Sequence, residues 1–507
     1  MFKILFLELK SLKNYIKMVL FCATQIYKIK FKQNNLGEKK IIYIYLNDWL
    51  LSSLPIFNLY LAILLKKRGF KPILLFDRFN LYSSFKSFLV NNFLILLIKL
   101  VKYKFKIEYL ELDKKNFNKI KINKSIIKDC IKFNLMRYNK DVRPLELESE
   151  VYKKKFIQLL NCAKNFVEIV NKKHKKKTIF LNAGGFLNSS HVFTEILRQR
   201  KKTFYTYDSC PFGKSYAIWY CRNGIAGKLE DSRASYNEVK NEKYFKRIFY
   251  KKIVKEVNNE LNLRKISKDK FGFQKISKKK SRLNLKNYII ITINSGWDAN
   301  SLGSDHIFKD YIDYLFKTIN FIQIKFPNIK IIIKDHPHRY TQSWKNDSLN
   351  KFLQNLKGKN IIKIDSKYNF YDIIKNAKLL ISVASTTINE ALILGKPAIS
   401  AGKDKYFYFG LNVNYSTQKE YFKSISKIIN NNKSFKFNRK ENLIFYYFNH
   451  KIRLLKTIYN PQIYSWTKKD FNKIFYSEHF MFLVNMLEKD ENYFTSRIKF
   501  LKKKNQL

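Results

Sequence analysis

Short runs of β-branched and other apolar residues recur along the chain, and this series constrains the fold more than any other feature. Most runs are separated by segments of helical length, a pattern typical of buried parallel strands joined by crossover helices. We therefore predict an α/β protein with two doubly wound parallel-sheet (Rossmann-like) domains facing across a cleft. The predicted strands are 41–46, 71–77, 177–185 and 203–209 in the first series, and 288–293, 329–335, 360–365, 379–385 and 397–402 in the second.

A basic stretch between the two series sets the predicted domain boundary. Residues 264–286 hold ten basic residues, one acid and little periodicity, as expected of a solvated linker. The predicted division is an α/β domain at 1–263, the linker at 264–286, a second α/β domain at 287–432 and a helical extension at 433–507. The extension is aromatic and basic, and we expect no further strand series in it.

The charge is extreme for a chain of 507 residues, with 99 Lys and Arg against 39 Asp and Glu. Such an excess is typical of proteins that bind nucleic acid or an anionic membrane. AT-rich codons are an alternative source, because Lys, Asn, Ile, Phe and Tyr are all abundant. The lysines are dispersed instead of concentrated on one element, so we predict no dedicated nucleic-acid binding.

Cysteines and apolar segments argue against disulfide-rich, zinc-binding, secreted and membrane-spanning proteins. The five cysteines include no CxxC pair, which argues against a disulfide framework or a zinc site. Lysines and a glutamate interrupt residues 1–29, so we expect no cleaved secretory signal there. The apolar run 59–65 is far shorter than the roughly 20 residues that span a bilayer. We expect a cytoplasmic protein that can rest peripherally on an anionic membrane surface through residues 1–29 and the basic end 498–507.

Polar residues follow four predicted strands of the second series, in the segments 294–298, 334–339, 382–392 and 400–410. Ligands of open parallel sheets bind beyond the carboxyl ends of the strands, so these segments predict one ligand site. In the segment "KDHPHR", Pro337 cannot donate to the ladder and disfavours helix at His336, which leaves His336 and His338 at the rim. An ordinary turn is the alternative interpretation. Further metal ligands at suitable spacing are missing from the pattern, so we predict hydrogen bonding to an anionic or sugar oxygen and no metal or cofactor.

The segment "SVASTTINEALILGKPAIS" carries hydroxyls where a strand gives way to a helix. Ser385, Thr386 and Thr387 stand where free helix N–H groups can accept a phosphate, and Glu390 follows about one turn later, able to accept from a sugar hydroxyl. The alternative is that Ser and Thr cap the helix and Glu390 completes a capping box. Gly395 fits the helix C-terminus.

The ordered motifs of 288–410 resemble the capsular polysaccharide synthesis family, bacterial glycosyltransferases of GT-B architecture that include Kdo transferases and are distantly related to polysialyltransferases. A weaker similarity covers "IFLNAGGFLNSSHVFTEILRQRKKTFYTYDSCPFG" and the residues after it. The resemblance implies a metal-independent transfer of a sugar from a nucleotide-sugar donor, CMP- or UDP-linked, to a surface polysaccharide or lipid-linked glycan. Residues 1–176 and 411–507 show no firm match.

Site residues follow from this resemblance. His336 and Pro337 match the family's HP motif, in which the histidine contacts donor phosphate, while Ser385, Thr386 and Glu390 match the motif around the donor nucleotide. The resemblance makes 287–432 the nucleotide-sugar-binding domain and 1–263 the acceptor side. Polar residues of the strand-end segments complete the predicted donor set, which is Lys334, Pro337, His338, Ser385, Thr386, Thr387, Glu390, Gly402 and Tyr406. The catalytic candidates are His336 and a general base. Asp208 and His191 are the first candidates for the base, and Asp298 is held in reserve.

Asn182, Gly184 and Gly185 form a small-residue loop in which donor or acceptor can approach the backbone. An alternative for His191 is a plain helix N-terminal residue. In "YDSCPFG" the glycine that the family places after an acid is displaced to Gly213, so the identity of the base stays open. Two other functions stay open: a nucleotide-sugar 2-epimerase of similar architecture, and a non-enzymatic protein that binds polyanions or membranes.

Overall fold

The computed structural model describes the larger part of the chain. The described residues are 2–30, 40–46, 54–76, 85–112, 124–125, 127–128, 130–131, 150–184, 188–212, 215–226, 247–266, 268, 283, 285–293, 307–336, 347–383, 385–401, 417–431, 435–457 and 478–504. Within them the chain forms two compact units. Among these residues no helix combines the length and apolar character needed to cross a membrane.

The first unit is built on a seven-stranded sheet of order β12-β6-β5-β4-β1-β2-β3. β1 to β5 run parallel, while β6 pairs antiparallel with β5 and β12 antiparallel with β6. Its strands are β1 Ile41–Leu46, β2 Lys71–Phe76, β3 Glu108–Glu111, β4 Thr178–Ala183, β5 Phe204–Phe212, β6 Ser215–Arg222 and β12 Leu455–Thr457. Its helices are α1 Phe2–Lys28, α2 Leu54–Lys67, α3 Phe85–Phe105, α4 Glu150–Asn171, α5 Asn188–Gln199, α13 Glu478–Lys489 and α14 Tyr493–Lys503.

The second unit has a five-stranded, fully parallel sheet of order β11-β10-β7-β8-β9. Its strands are β7 Tyr288–Thr292, β8 Lys330–Lys334, β9 Ile361–Ile364, β10 Ala377–Ser382 and β11 Ala398–Ser400. Its helices are α6 Arg247–Lys265, α7 Tyr311–Lys325, α8 Asp347–Asn355, α9 Phe370–Ile374, α10 Thr386–Ile393, α11 Gln418–Asn430 and α12 Arg439–Tyr447, which continues into a π-helix at Phe448–Ile452.

Local sequence explains why these elements begin and end where they do. The isoleucine runs of β7 and β8 are buried almost throughout, as expected of central parallel strands. Side chains that accept from free helix N–H groups start several helices, among them Asp310 before α7 and Thr417 before α11, where Glu420 completes a capping box. Gly395, with φ of +80°, ends α10 as predicted, since a left-handed residue there favours glycine.

The predicted α/β class with two mainly parallel sheets is confirmed, and all nine predicted runs contain a strand. Three strands were not predicted. β3 is a short edge strand with glutamate at both ends, and β12 has only three residues, so neither forms an apolar run. β6 makes the first sheet mixed, because it returns antiparallel directly after β5. The cleft between domains stays a prediction.

The two units divide the chain differently from the predicted boundaries. Helix α6 groups with the second unit, together with the described residues up to 453, while the described residues from 454 onward return to the first unit. The linker prediction was wrong at its start, because Arg264 is a buried residue of α6, which also buries Ile253, Val257 and Leu261. The predicted extension 433–507 is therefore not one element.

A charged cluster fastens the C-terminal helices to the first sheet. Asp490, directly after α13, is paired with Lys177 and with Arg222 at 3.2 Å, and it accepts from the Tyr205 hydroxyl at 3.1 Å. The ammonium of Lys40 donates to the carbonyls of Leu487 and Glu488 at the end of α13. These contacts hold the end of α13 against the amino ends of β1, β4 and β5.

Candidate functional site

The carboxyl edge of the second sheet brings together residues that follow β8 and β10, the two strands flanking the central β7. The strand order reverses between β7 and β10, and such a switch point is where open α/β sheets bind ligands. Lys334, His336 and the 385–387 segment lie at this edge. The predicted site residues Asp298, Pro337, His338, Gly402 and Tyr406 lie outside the described residues, as does Gly185 in the first unit.

Lys334, the last residue of β8, is a buried cation at this edge. Its ammonium donates to the Ser366 carbonyl at 3.0 Å. Burial lowers the pKa of Lys334 to about 8, against the opposing effect of the Asp335 and Asp365 carboxylates. An ammonium has three N–H donors, and the hydrogen bond to Ser366 uses one of them. The Lys334 ammonium therefore suits a second, anionic acceptor at the sheet edge.

His336 follows two residues later and is half-buried. Its backbone N–H donates to the Asp335 carboxylate at 2.9 Å, and the Asp335 N–H donates to the carbonyl of Ile364 at 3.2 Å. The second bond continues the β8–β9 pairing one residue past the strand, and the first is a local bond that holds the backbone of His336. The structure therefore places His336 at the rim, where the sequence predicted it.

Ser385 is the N-cap of α10, with its backbone in the extended region. Its hydroxyl oxygen accepts from the Thr387 N–H at 3.3 Å and from the Thr387 hydroxyl at 2.9 Å. Ser385, Thr386 and Thr387 are all partly exposed. The start of α10 therefore presents hydroxyls and the positive end of the helix dipole at the same edge as Lys334.

A hydrogen bond between side chains joins β7 to β10 just below this edge. The buried Thr292 hydroxyl donates to the Ser382 hydroxyl at 2.7 Å. The Ala401 N–H, after β11, donates to the Ser382 carbonyl at 2.8 Å. Because these residues end their strands, the bonds fix the strand ends on both sides of the switch point.

Glu390 does not have the predicted role of facing a ligand hydroxyl. It is only 1% exposed, its carboxylate lies 2.5 Å from the Arg264 guanidinium, and it accepts from the Tyr371 hydroxyl at 2.9 Å. Burial and the nearby Glu390 charge raise the pKa of Tyr371 far above its ordinary value, so this hydroxyl stays a donor. Glu390 also completes no capping box, since it lies five residues after the N-cap Ser385 and the box uses the third.

In the first unit, Asn182 is fully buried and occupied by internal bonds. Its amide donates to the Ser190 carbonyl at 2.9 Å and to the Thr194 hydroxyl at 2.7 Å, and its oxygen accepts from the Ser190 hydroxyl at 3.0 Å. Asn182 therefore ties β4 to α5, and its buried side chain does not have the predicted role in a loop that faces a ligand. Gly184 has φ of +70°, a conformation that favours glycine, and its N–H donates to the Tyr207 carbonyl at 2.8 Å.

The two base candidates of the first unit lie near the carboxyl end of β4. Asp208 follows Tyr207, which pairs with the last residue of β4, and its side chain is partly exposed. His191 is buried in the first turn of α5. Asp208 is therefore the more accessible of the two.

Sequence reasoning missed a second set of polar residues at this edge. The hydroxyls of Tyr45 and Ser189 lie 2.5 Å apart, the Tyr207 hydroxyl donates to the Asn58 side-chain oxygen at 2.6 Å, and the Asn58 amide donates to the Tyr45 carbonyl at 3.0 Å. Asn58 lies within an apolar helix, and an Asn in such a pattern is the one local signal of a buried polar contact. Its partners lie far away in sequence and cannot be read from it.

The chain matches no protein-family model and no curated protein sequence. It is similar to solved structures of glycosyltransferases and of nucleotide-sugar epimerases. It is 14% identical to KpsC of Thermosulfurimonas dismutans, beta Kdo 2,4 transferase, over 53% of this chain and 79% of that one, with a TM-score of 0.37. For KpsC, beta Kdo 2,7 transferase, from the same organism, the identity is 18%, the coverages 64% and 87%, and the TM-score 0.30. For UDP-GlcNAc 2-epimerase from Neisseria meningitidis bound to UDP-GlcNAc, the identity is 10%, the coverages are 83% of this chain and 95% of that one, and the TM-score is 0.21. We base the functional proposal on the residues of this chain.

Proposed function

We propose that this protein is a glycosyltransferase that moves a sugar from a nucleotide-sugar donor, CMP- or UDP-linked, to a glycan or glycolipid acceptor of the bacterial surface. The observation that carries the proposal is the carboxyl edge of the second sheet. A buried ammonium, a rim histidine and the start of a helix with three hydroxyls lie there on either side of the switch point. Such an edge suits a phosphate ester of a nucleotide.

The proposed chemistry places the leaving phosphate between these groups. Lys334 supplies a cation, His336 supplies a ring N–H, and the first N–H groups of α10 supply a dipole directed at the developing charge. Preorganised donors of this kind stabilise a departing phosphate without a metal ion. Glu390 and Arg264 act one layer below, where their pairing holds α10 to α6.

The acceptor is proposed to bind at the carboxyl edge of the first sheet. Gly184 allows close approach to the backbone, and the partly exposed Asp208 is the preferred base for the acceptor hydroxyl. The buried His191 is the second candidate, and Asp298 stays in reserve. Because the base belongs to the acceptor side, its loss should lower turnover and leave donor affinity unchanged.

A thermal-shift screen with CMP-, UDP- and GDP-linked sugars tests the proposal. A ligand held at about 100 times its dissociation constant stabilises the folded protein by roughly 2.7 kcal/mol, which raises the melting temperature. We expect one nucleotide class to do so in the wild type and much less in Lys334→Gln. If all three classes leave both proteins unshifted, the proposal is wrong.

Turnover without an acceptor separates the transferase from the epimerase. A transferase should leave UDP-N-acetylglucosamine unchanged at C2 in the absence of acceptor, whereas an epimerase inverts that carbon. Proton NMR of the sugar after incubation distinguishes the two. Inversion without an acceptor would replace the transferase with the epimerase, while affinity for polysaccharide that survives His336→Ala would favour a binding protein.

A further inference from the structure

Helix α1 exposes one continuous stripe of lysine, leucine and tyrosine. Five of its exposed residues follow a spacing of four and three, which keeps them on one face of a helix: Lys13, Lys17, Leu20, Thr24 and Tyr27. Leu20 is 59% exposed and Tyr27 is 72% exposed. The opposite face is buried and holds Tyr15, Met18, Val19, Cys22 and Ile26. The stripe is therefore an outward face of a helix that already has its core contacts.

Helix α3 packs against α1 and exposes a second stripe of the same kind. With the residue after the helix, it consists of Asn92, Leu96, Lys99, Tyr103 and Lys106, again at spacings of four and three. Leu96 is 60% exposed and Tyr103 is 80% exposed. The Lys104 ammonium lies 4.9 Å from the centre of the Tyr27 ring, so a side chain of α3 covers a ring of α1 and joins the two stripes. We call this surface the α1–α3 face.

The charge of the α1–α3 face has one sign. Residues 12–30 and 89–107, which carry the described side chains of this face, contain no Asp or Glu and eight lysines: Lys13, Lys17, Lys28, Lys30, Lys99, Lys102, Lys104 and Lys106. On α7 of the second unit, exposed Phe316 and Ile324 also stand among lysines, but Asp313 pairs with Lys317 at 3.1 Å there. The described side chains of the α1–α3 face therefore differ from those of α7 in carrying no acid.

We propose that the α1–α3 face docks the protein onto the surface of an anionic lipid bilayer, with Leu20, Leu96, Tyr27 and Tyr103 at the headgroup level. Lysine stems lie along apolar surface while their ammonium groups meet lipid phosphates, and tyrosine rings favour the membrane–water boundary. A second copy of this chain is a poor occupant, because two faces of eight lysines each repel one another. The structure thus adds α3 to the predicted membrane contact at residues 1–29.

Co-sedimentation with vesicles of phosphatidylglycerol and phosphatidylcholine tests the face. Each lysine near an anionic surface raises the partition coefficient roughly five-fold, so replacing Lys13, Lys17, Lys99 and Lys102 with Gln should lower binding on the order of 10²- to 10³-fold. The matched control replaces four exposed lysines of the second unit, Lys351, Lys357, Lys359 and Lys427, with Gln. It removes the same charge and should leave binding within a few-fold of the wild type.

A second pair of variants tests the apolar part of the face. Leu20→Gln with Leu96→Gln should weaken binding most visibly at about 1 M salt, where the Debye length of about 3 Å screens the lysines. Phe316→Gln with Ile324→Gln is the control and should bind as the wild type does. All four residues are exposed, so the melting temperatures should be unchanged, and the nucleotide-sugar thermal shift should be unchanged in every variant.

Several results would overturn the proposal. The proposal is wrong if the wild-type protein fails to bind anionic vesicles at about 0.01 M salt. It is also wrong if the α1–α3 variant and the second-unit variant lose binding equally. Tighter binding to polyuridine RNA than to vesicles, lost in the same α1–α3 variants, would make the face a nucleic-acid surface instead. Dimerisation lost with Leu20→Gln and Leu96→Gln would make it a protein interface.

Discussion

The two sheets share a strand order, but their carboxyl edges differ in chemistry. The first sheet contains β3-β2-β1-β4-β5 and the second β9-β8-β7-β10-β11, so both place the switch point between their first and fourth strands. At that edge the first unit has hydroxyl and amide groups bonded to one another, such as Tyr207 with Asn58, beside the partly exposed carboxylate of Asp208. The second has a buried ammonium and a helix start rich in hydroxyls.

This difference teaches that topology selects the place of a site and side chains select its ligand. An edge with internally bonded hydroxyl and amide groups and a carboxylate suits a sugar hydroxyl, while an edge with a cation and a helix dipole suits a phosphate.

The largest effect should come from the buried ion pair beneath the second edge. Arg264→Met leaves the Glu390 carboxylate buried without its cation, which should lower the free energy of unfolding by about 3 to 5 kcal/mol. Urea denaturation followed by circular dichroism measures this change. Arg222→Met is the control in the first unit, because Asp490 keeps Lys177 and Tyr205 as partners and Arg222 is partly exposed.

We expect Arg222→Met to cost about 1 kcal/mol or less. Adding Glu390→Leu to Arg264→Met should recover much of the loss, since no charge then stays buried. Equal losses of unfolding free energy in the two arginine variants would contradict the prediction that the buried Arg264–Glu390 pair stabilises the protein more than the partly exposed Arg222 does.

The next effect concerns catalysis at the rim of the second edge. His336→Ala should lower turnover by about 10²- to 10³-fold, equivalent to about 2.7 to 4 kcal/mol, if its ring stabilises charge on the leaving phosphate. Its melting temperature should hardly change, because the ring is half-buried at the rim. His174→Ala is the matched control, a partly exposed histidine bonded to Tyr43 at 3.0 Å near the amino end of β4. Full activity of His336→Ala would remove this histidine from the mechanism.

A smaller effect is expected from the neutral network of the first unit. Tyr207→Phe removes the donor to the buried Asn58 oxygen, which should lower the free energy of unfolding by about 1 to 3 kcal/mol. Donor affinity should be unchanged, because the nucleotide is assigned to the other unit. Tyr109→Phe, at a partly exposed position on an edge strand, should change stability by about 0.5 kcal/mol or less. A loss of donor affinity in Tyr207→Phe would contradict the division of roles.

The smallest effect should appear in the pH dependence of donor affinity. Because the pKa of Lys334 is lowered to about 8, the ligand-free protein loses this charge above that pH, and affinity for an anionic donor should fall up to about ten-fold per pH unit. Isothermal titration calorimetry from pH 7 to 9 measures it. Lys334→Gln should bind more weakly at pH 7 and show a flatter profile.

The stability of the ligand-free protein should move in the opposite direction. The unfolded chain holds the Lys334 proton up to a pKa near 10.5, so between about pH 8 and 10.5 it binds more protons than the folded protein. The contribution of Lys334 to the free energy of unfolding therefore rises with pH in that window. Wild type and Lys334→Gln compared by urea denaturation isolate this contribution, and parallel profiles would contradict it.

Elements whose signals are local could be predicted from the sequence. Isoleucine runs predicted β7 and β8, and Ser385 and Gly395 predicted the start and end of α10, because strand burial and helix capping depend on residues a few positions apart. The parallel class followed from helical spacing between runs, and the position of His336 followed from Pro337 after a strand.

Contacts between residues distant in sequence became visible only in the folded protein. Glu390 looked like a ligand contact and Arg264 like the start of a solvated linker, yet α6 and α10 bury them as a pair. The described residues of 454–504 belong to the first unit, where Asp490 meets Lys177 and Arg222. The apolar sequence of α3 does not show which side of the helix faces water. In the structure, α1 packs against part of α3 and leaves the other side exposed. Helix and strand preferences act between residues close in the chain. The cost of removing a charge from water, which must be offset by a partner, depends instead on all the groups packed around that charge.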